Sequence, residues 1–560
     1  MRGQTVRTGA MRRALGALAV AGLSALAAPP AGAGLPPDIG GDGLVARAVV
    51  EPTPPAAALP AALATRLVGL IAVSSDDPVV DGLVAFYGGR DNQPVWYEGG
   101  RPTAAAAAAL ARIARADEDG LDPAAYPRPA ADFGSRGPEP AERLAAAEVA
   151  VSLAVARFAR EAQAGRIAPR RISPLITLKP EAPDTVAVLR RVSSATDVAA
   201  ALDGFNPPHA AFERLKAALA TARREAEAPA DAPEPVPAGP ALKPGAADPR
   251  VEILRRRLAL PAGVEPTLYD ETVQAAVRAF QAANGLAADG VLGAQTVRVL
   301  NGDPRRPADR AAVILANMER WRWMPRDLGR AHVFVDIAGF TAAVVRDGAV
   351  GYRTRVVVGT PTTPTPVFSD AIRFVVVNPY WNVPLSIASK EMLPAIRANP
   401  SGYFSKRNYE VVVDGEVVSP AAVAWNEATI RRVRIRQRPG TDNALGSIKF
   451  MFPNEHAVYL HDTPSKALFE RNRRDFSHGC VRVQDPIRFA ESLLAEDPSL
   501  TARRIERSIG GREVRFDLKT PVPVHLAYFT VVAGPDGRLD LRTDIYGLDQ
   551  RMIRALALRP

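Results

Sequence analysis

Apolar positions change rhythm twice along the chain, and those changes divide it. From about Ala62 to Arg224 the text is dominated by Ala, Leu, Ile and Arg, which favour helix. Thr103–Arg115 predicts one helix, stopped at Asp119-Gly120 with Pro123 beyond, and Leu144–Ala164 predicts another, stopped at Gly165. Asp117, Asp119 and Asp122 lack the Glu that would close a twelve-residue calcium loop, so they read as turn chemistry. Prolines crowd the segment from Pro229 to Pro249, which predicts a stiff, extended linker over 226–249. Val251, Leu254 and Leu258, then Val273, Val277 and Phe280, recur at helical spacing and predict a compact helical module over 250–302.

From His332 onward the period becomes two. Val333–Ile337, Thr341–Arg346 and Arg353–Val358 predict strands, with Asp347-Gly348, Asp414-Gly415 and Asp536-Gly537 as tight turns between runs. Helices are expected around Ser389–Ala398 and Pro486–Leu494. Between Leu385 and Thr441, helix, turn and Arg-rich text (Arg431, Arg432, Arg434, Arg436, Arg438) interrupts the strands and predicts a helical or looped insertion. The fold class is therefore multidomain α+β. A mainly helical domain spans 62–225, a three-helix module 250–302, a β-rich mixed domain 310–510 with its insertion at about 385–441, and a β-rich C-terminal extension 511–560.

With 560 residues, 47% hydrophobic and 23% charged, the chain has material for several cores and is not a disordered polymer. A net charge of +10 suits an anionic partner, and equally suits a merely Arg-rich composition. At the N-terminus, Arg2, Arg7, Arg12 and Arg13 precede an apolar run from Ala14 to Ala28, followed by Ala31-Gly32-Ala33. That order describes a secretory signal peptide over 1–33, and left uncleaved it would tether the chain to the inner membrane. Export and the lack of an aromatic-basic platform disfavour nucleic acid as a partner.

One stretch carries candidate chemistry: Tyr459-Leu-His461-Asp462, then Ser477-His478-Gly479-Cys480-Val481-Arg482. Cys480 is the sole cysteine. A thiol near pKa 8.5 is only a few per cent thiolate at neutral pH, so a nucleophilic Cys wants a base or a positive field nearby. Alternation over Glu455–His461 predicts that Tyr459 and His461 share a strand face while His456 points the other way. His456 and His461 are then poorly placed to chelate one metal, and a zinc site would need a third ligand. No metal and no organic cofactor is indicated. A lone Cys is often an inert buried hydrophobe, but Ser-His-Gly-Cys is too polar for a core strand.

These residues carry a resemblance. His461 followed after fifteen residues by Ser477-His478-Gly479-Cys480 resembles the catalytic motif of the L,D-transpeptidase family. Trp321–Pro325, Asn378–Pro384, Pro439-Gly440 with Asn443–Gly446, Lys449–Asn454 and Asp544–Asp549 resemble its large periplasmic branch. Phe86-Tyr87, Trp96 and Asp119–Pro123 resemble that branch's scaffold domain. Phe280-Gln281, Gly285-Leu286, Asp289-Gly290, Gly293 and Thr296 resemble the three-helix peptidoglycan-binding module.

The resemblance implies a periplasmic enzyme of cell-wall biogenesis acting on peptidoglycan stem peptides and glycan. Cys480 would attack the bond between the L-centre of residue three and D-Ala four. His461 would be the general acid/base, and a diaminopimelate amine would resolve the thioester into a 3→3 cross-link. Gly479 and Cys480 N–H groups are expected to hold the oxyanion, with Ser477 and His478 supporting the loop. Arg482, Tyr459 and Asp462 are substrate-binding candidates, with the Asp462 carbonyl also orienting His461. The insertion would cap the site, and carbapenem-type inhibitors would acylate Cys480. A hydrolase on the same site (an L,D-carboxypeptidase or a releaser of wall-bound protein) and a non-catalytic wall-binding protein are the alternatives.

Overall fold

The computed structural model describes residues 58–74, 76–130, 140–227, 234–283, 286–301, 307–497 and 500–557. The expected signal peptide at 1–33, and Gly285 of the module motif, lie outside the described residues.

In the N-terminal domain, helices Ala58–Val73, Pro78–Gly88, Ala104–Ile113, Ala141–Ala164, Thr185–Ser193 and Val198–Asp203 enclose one core. Thr103 caps its helix by accepting the Ala106 N–H, and Gly120 (φ 74°) and Gly165 (φ 83°) take left-handed positions at helix ends, where a Cβ is disfavoured. The long helix carries a fully buried carboxylate. Glu148 accepts hydrogen bonds from the Tyr87 hydroxyl at 2.8 Å, the Val95 N–H at 2.6 Å and the Trp96 N–H at 3.0 Å. Burial nonetheless pushes its carboxyl up to about 7. Asp119 does more than turn the chain: it is buried, paired with Arg112 and with Lys216 at 3.0 Å. That ties Ala104–Ile113 to the helix Ala210–Glu227.

Helices Arg250–Arg257, Glu271–Ala283 and Ala294–Leu300 form the small module. Gln281 is its buried hub. Its Oε1 accepts the Gly290 N–H at 2.8 Å, and its Nε2 donates to Asp289 Oδ1 at 2.9 Å and Thr296 Oγ1 at 3.0 Å. The segment expected as a stiff, extended linker packs on the module rather than standing apart from it. Among its described residues, Val236 and Leu242 are buried in the module core, and Leu242 pairs with Leu292. Proline excludes helix but leaves an extended edge segment able to present alternate apolar side chains.

Nine strands form the main sheet: β1 (Ala331–Asp336), β2 (Thr341–Arg346), β3 (Ala349–Gly359), β4 (Phe368–Val377), β5 (Ile448–Met451), β6 (Leu460–His461), β7 (Asp475–Ser477), β8 (Val481–Val483) and β9 (Val514–Ala527). Their order is β7-β3-β8-β6-β5-β4-β9-β1-β2, and β2 also pairs with β3, so eight strands close on themselves. Closure removes the open edges that would otherwise invite other chains. The predicted tail extension is overturned: β9 lies mid-sheet, antiparallel to β4 and parallel to β1. Residues 511–560 are integral to this domain because Val524 and Leu526 alternate into its core.

The helix Pro307–Trp323 is flanked by Ala210–Glu227 and the C-terminal segments. Trp321 stacks on Phe529 with ring centroids 4.5 Å apart, and buried Arg320 pairs with Asp549 at 2.7 Å. Ile172, Phe212 and Leu219 thus share one hydrophobic cluster with the sheet.

The insertion has its own core around Ile396, Phe404, Val411, Trp425 and Ile435. Besides the expected helices it holds a four-stranded antiparallel sheet, ordered Trp381–Asn382, Arg434–Gln437, Tyr409–Val413, Glu416–Val418. Arg436 and Arg438 both pair with Glu410, at 2.6 and 2.5 Å, so part of the arginine run is internal pairing. Asn443 fastens the insertion's stems, donating to Pro379 O at 3.0 Å and Arg438 O at 2.9 Å.

Glu148→Ala takes the acceptor from the Val95 and Trp96 N–H groups and leaves Tyr87 with Ser152 Oγ, 2.6 Å away, as its remaining partner. We expect a loss of about 3 kcal/mol or more in the N-terminal domain, read as a lower urea midpoint by tryptophan fluorescence; an unchanged midpoint would contradict the role given to Glu148.

Candidate active site

The turn that carries Cys480 is built by side chain-to-backbone bonds. Ser477 Oγ donates to the Cys480 carbonyl at 2.5 Å and accepts the Gly479 N–H at 3.1 Å. Gly479 sits at φ 113°, a conformation that favours glycine. From the loop after β3, Thr363 Oγ1 donates to Ser477 O at 3.2 Å and Thr365 Oγ1 to Gly479 O at 2.9 Å. Tyr546 braces that loop in turn, donating to Gly359 O at 2.8 Å and accepting the Thr365 N–H at 3.1 Å. Thr363, Thr365 and the role of Tyr546 were not foreseen, because each acts from more than 60 residues away in sequence.

Cys480 leads into β8, which runs parallel to β6 with Leu460 opposite Val481 and His461 opposite Arg482. The Val481 N–H bonds to Tyr459 O at 3.1 Å, so Tyr459 and Cys480 fall side by side. Paired residues project to one face and alternate residues share it. Tyr459, His461, Cys480 and Arg482 therefore share a face, joined by Lys449, which pairs with His461 from β5. Phe450, Leu460 and Val481 turn into the core. The Tyr459 and His461 rings meet edge to face at 5.6 Å. The strand is shorter than expected, since Ala457 adopts φ 52°. His456 instead bonds Thr177 Oγ1 at 2.9 Å and lines a separate cleft of about 650 Å³ with Lys179, Trp323 and Asp370.

His461 is buried, and its Nδ1 lies 2.5 Å from the Asp462 carbonyl. A carbonyl only accepts, so Nδ1 carries the proton and Nε2 keeps its lone pair. Burial, helped by Arg482, pulls the imidazole down to about 3. Cys480 as a residue keeps some solvent contact while its thiol is desolvated. Burial pushes that thiol up, opposed by the Tyr459 N–H, Arg482 and the Tyr459 hydroxyl. The pair is thus a neutral thiol beside a neutral imidazole, the field of Arg482, which favours thiolate, being outweighed by desolvation.

Two further expectations change. The Asp462 carboxylate does not face a substrate: Lys466 holds it at 2.5 Å, and it accepts the N–H groups of Thr463 and Ser447 at 2.7 and 2.9 Å. Gly446 packs so closely on Asp462 that a Cβ would clash there. The Gly479 N–H is already engaged by Ser477, which leaves the Cys480 N–H as the oxyanion candidate. His478 is exposed and reaches across to the insertion, where its Nε2 meets Glu391 Oε1 at 2.9 Å. Lys449 was quoted above only within a motif. Its alternation with buried Phe450 and Phe452 was the signal that placed it on the functional face.

Three stretches of the chain match models of known families. Residues 330–524 match the model of the L,D-transpeptidase catalytic domain, 81–219 that of the scaffold domain, and 248–300 that of a peptidoglycan binding domain. A Haemophilus influenzae protein that bears the name "Putative L,D-transpeptidase" is 36% identical over 222 residues, covering 39% of this chain and 45% of that relative. The chain thus spans under half the length of that curated relative. An L,D-transpeptidase structure from Stackebrandtia nassauensis aligns at 15% identity over 51% of this chain and 94% of its own, with a TM-score of 0.19. One from Xylanimonas cellulosilytica aligns at 18% over 52% and 99%, with a TM-score of 0.16. Overlaps at that level carry no argument, and the assignment rests on the domain matches and the curated relative. On those grounds the chain carries an L,D-transpeptidase catalytic domain, joined to a scaffold domain and a peptidoglycan-binding domain.

Proposed function

We propose that the chain is an exported, periplasmic peptidoglycan L,D-transpeptidase that makes 3→3 cross-links. The observation that carries the reading is the single face shared by Cys480, His461 and Tyr459 across the parallel β6–β8 pair. Cys480 Sγ attacks the carbonyl between the L-centre of residue three and D-Ala four, passing its proton to His461 Nε2. The Cys480 N–H steadies the developing oxyanion. The imidazolium returns its proton to the D-alanine amine as the C–N bond breaks, leaving a thioester. The side-chain amine of a second stem's diaminopimelate then attacks, gives up a proton to His461 and releases Cys480. A neutral resting pair suits this cycle, because His461 takes and returns one proton per half-reaction. Tyr459 holds the sulfur through its hydroxyl, and the small module would keep the enzyme on its polymer.

Incubating the mature protein with tetrapeptide muropeptides should give a 3→3 dimer by mass spectrometry. A tripeptide alone would assign a hydrolase instead, and no change would refute both. Cys480→Ala should abolish the product, and His461→Gln should slow it by roughly 10²–10⁴-fold.

Because burial holds the thiol up, alkylation of Cys480 by iodoacetamide should rise with a midpoint above the ordinary thiol value of about 8.5. Arg482→Met should move that midpoint further up, since Arg482 opposes the shift. Intact-mass kinetics across pH would show either result, and a midpoint near 7 would contradict the neutral pair. A carbapenem should add once, at Cys480.

The insertion, bonded to the catalytic turn through Glu391 and His478, is proposed to cap the acyl-enzyme. Replacing 385–441 with a short Gly-Ser connection should preserve Cys480 alkylation and reduce dimer formation. Undiminished cross-linking would remove the cap from the mechanism.

A further inference from the structure

His461 stands between two cations. Arg482 is opposite it on β8 and Lys449 opposite it on β5, and neighbouring strands lie about 4.8 Å apart. Both side chains are half-buried, and desolvation pulls both below their ordinary values. Neither forms an ion pair with any described residue, whereas most other arginines of this domain's interior do, Arg320 and Arg542 among them. Arg482 Nε is buried without a hydrogen-bond partner. The carboxylates nearby are otherwise employed: Asp462 is held by Lys466, and Glu513, which reaches Lys449 only through its longer-range field, accepts the Tyr380 N–H at 2.9 Å. The field of Glu513 and the Tyr459 ring, whose centroid is 6.0 Å from Lys449 Nζ, offset this only in part, so two half-buried cations on one face without a carboxylate partner favour an anion arriving from outside.

Resting on the reading above, we infer that Lys449 and Arg482 form a receptor for the free α-carboxylate of the leaving D-amino acid at position four. In an α-amino acid that carboxylate is one carbon from the amine. The amine must reach His461 Nε2 to be protonated, so the carboxylate is confined to the neighbourhood of the imidazole, where the two cations stand. The receptor makes the enzyme specific for stems that end at residue four, because a stem extended by one residue has an uncharged amide at that place. It also explains why a buried base survives beside positive charge: the arriving carboxylate offsets the field that disfavours the imidazolium, so proton transfer to His461 is eased when the correct substrate is bound. Lys449 and Arg482 act on substrate binding and on the field, and the bond-making atoms remain those of Cys480 and His461.

The test separates binding from turnover. Calorimetric titration of the Cys480→Ala protein with a tetrapeptide carboxylate and with its C-terminal carboxamide should show the carboxylate bound roughly tenfold tighter or more. Adding Lys449→Met or Arg482→Met should bring the two affinities together, while Lys449→Arg should retain the preference. The ratio is read on each folded variant, so a general loss of packing does not mimic the result. Equal affinities for the two peptides, or a preference untouched by either Met substitution, would overturn the receptor. A discrimination that instead follows amidation of the diaminopimelate carboxylate would move the anion to another stem residue and overturn the assignment to position four. Turnover of the carboxylate peptide by the protein with Cys480 intact reads the catalytic proposal separately: discrimination in binding without any released D-alanine would keep the receptor and sink the transpeptidase.

Discussion

The register between β6 and β8 is the constraint on which the site depends. Side chains alternate across a strand, so a slip of one residue would send Cys480 and Arg482 into the core and bring Val481 out beside His461. Burial enforces the register. Leu460, Val481, Val483 and Phe450 are almost wholly removed from water, and each buried side chain of this size contributes about 1.5–3 kcal/mol. The hydrophobic side of the sheet therefore aims the reactive side. The turn before β8 adds a second lock, since Ser477, Thr363 and Thr365 hold its carbonyls.

Desolvation then sets the protonation states on the aimed face. The same shielding raises the thiol and lowers the imidazole, so neither group is charged before substrate enters. A standing thiolate–imidazolium pair would be reactive toward any electrophile it met; a neutral pair becomes reactive only as a proton moves between the two groups. Positive charge is supplied by Arg482 and Lys449, both of which desolvation pulls below their ordinary values. The site thus combines a desolvated, neutral thiol and imidazole with two basic side chains beside them.

Much of this was legible in the sequence. Thr341–Arg346, the helix Leu144–Ala164 and the turn at Asp347-Gly348 were clear because propensity, periodicity and turn chemistry agree there. Cys480, His461 and Tyr459 were legible as a group from motif and parity. The failures have physical reasons. Val236 and Leu242 were hidden among prolines, whose meaning is extended chain whether or not that chain packs. The strand β9 was taken for an extension, because periodicity cannot tell a strand's neighbours. The insertion's sheet was concealed by arginines that pair with Glu410 across strands. Asp462 was assigned to substrate, whereas its carboxylate is fixed by Lys466, four residues on in the chain, a pairing that a reading centred on charge near the motif passes over.

The position of β9 has a consequence for how the protein comes into being. During synthesis the thiol leaves the ribosome well before Val514–Ala527 does, yet that strand sits between β4 and β1. Until it inserts, β4 and β1 are unmatched and the ring of strands is broken, with the slow, long-range closure typical of such pairings still ahead. The face that carries Cys480 and His461 then rests on an open sheet, since its own strands pair with one another and not with β9. The face that carries the sole thiol thus belongs to a ring that only a late-emerging strand can complete.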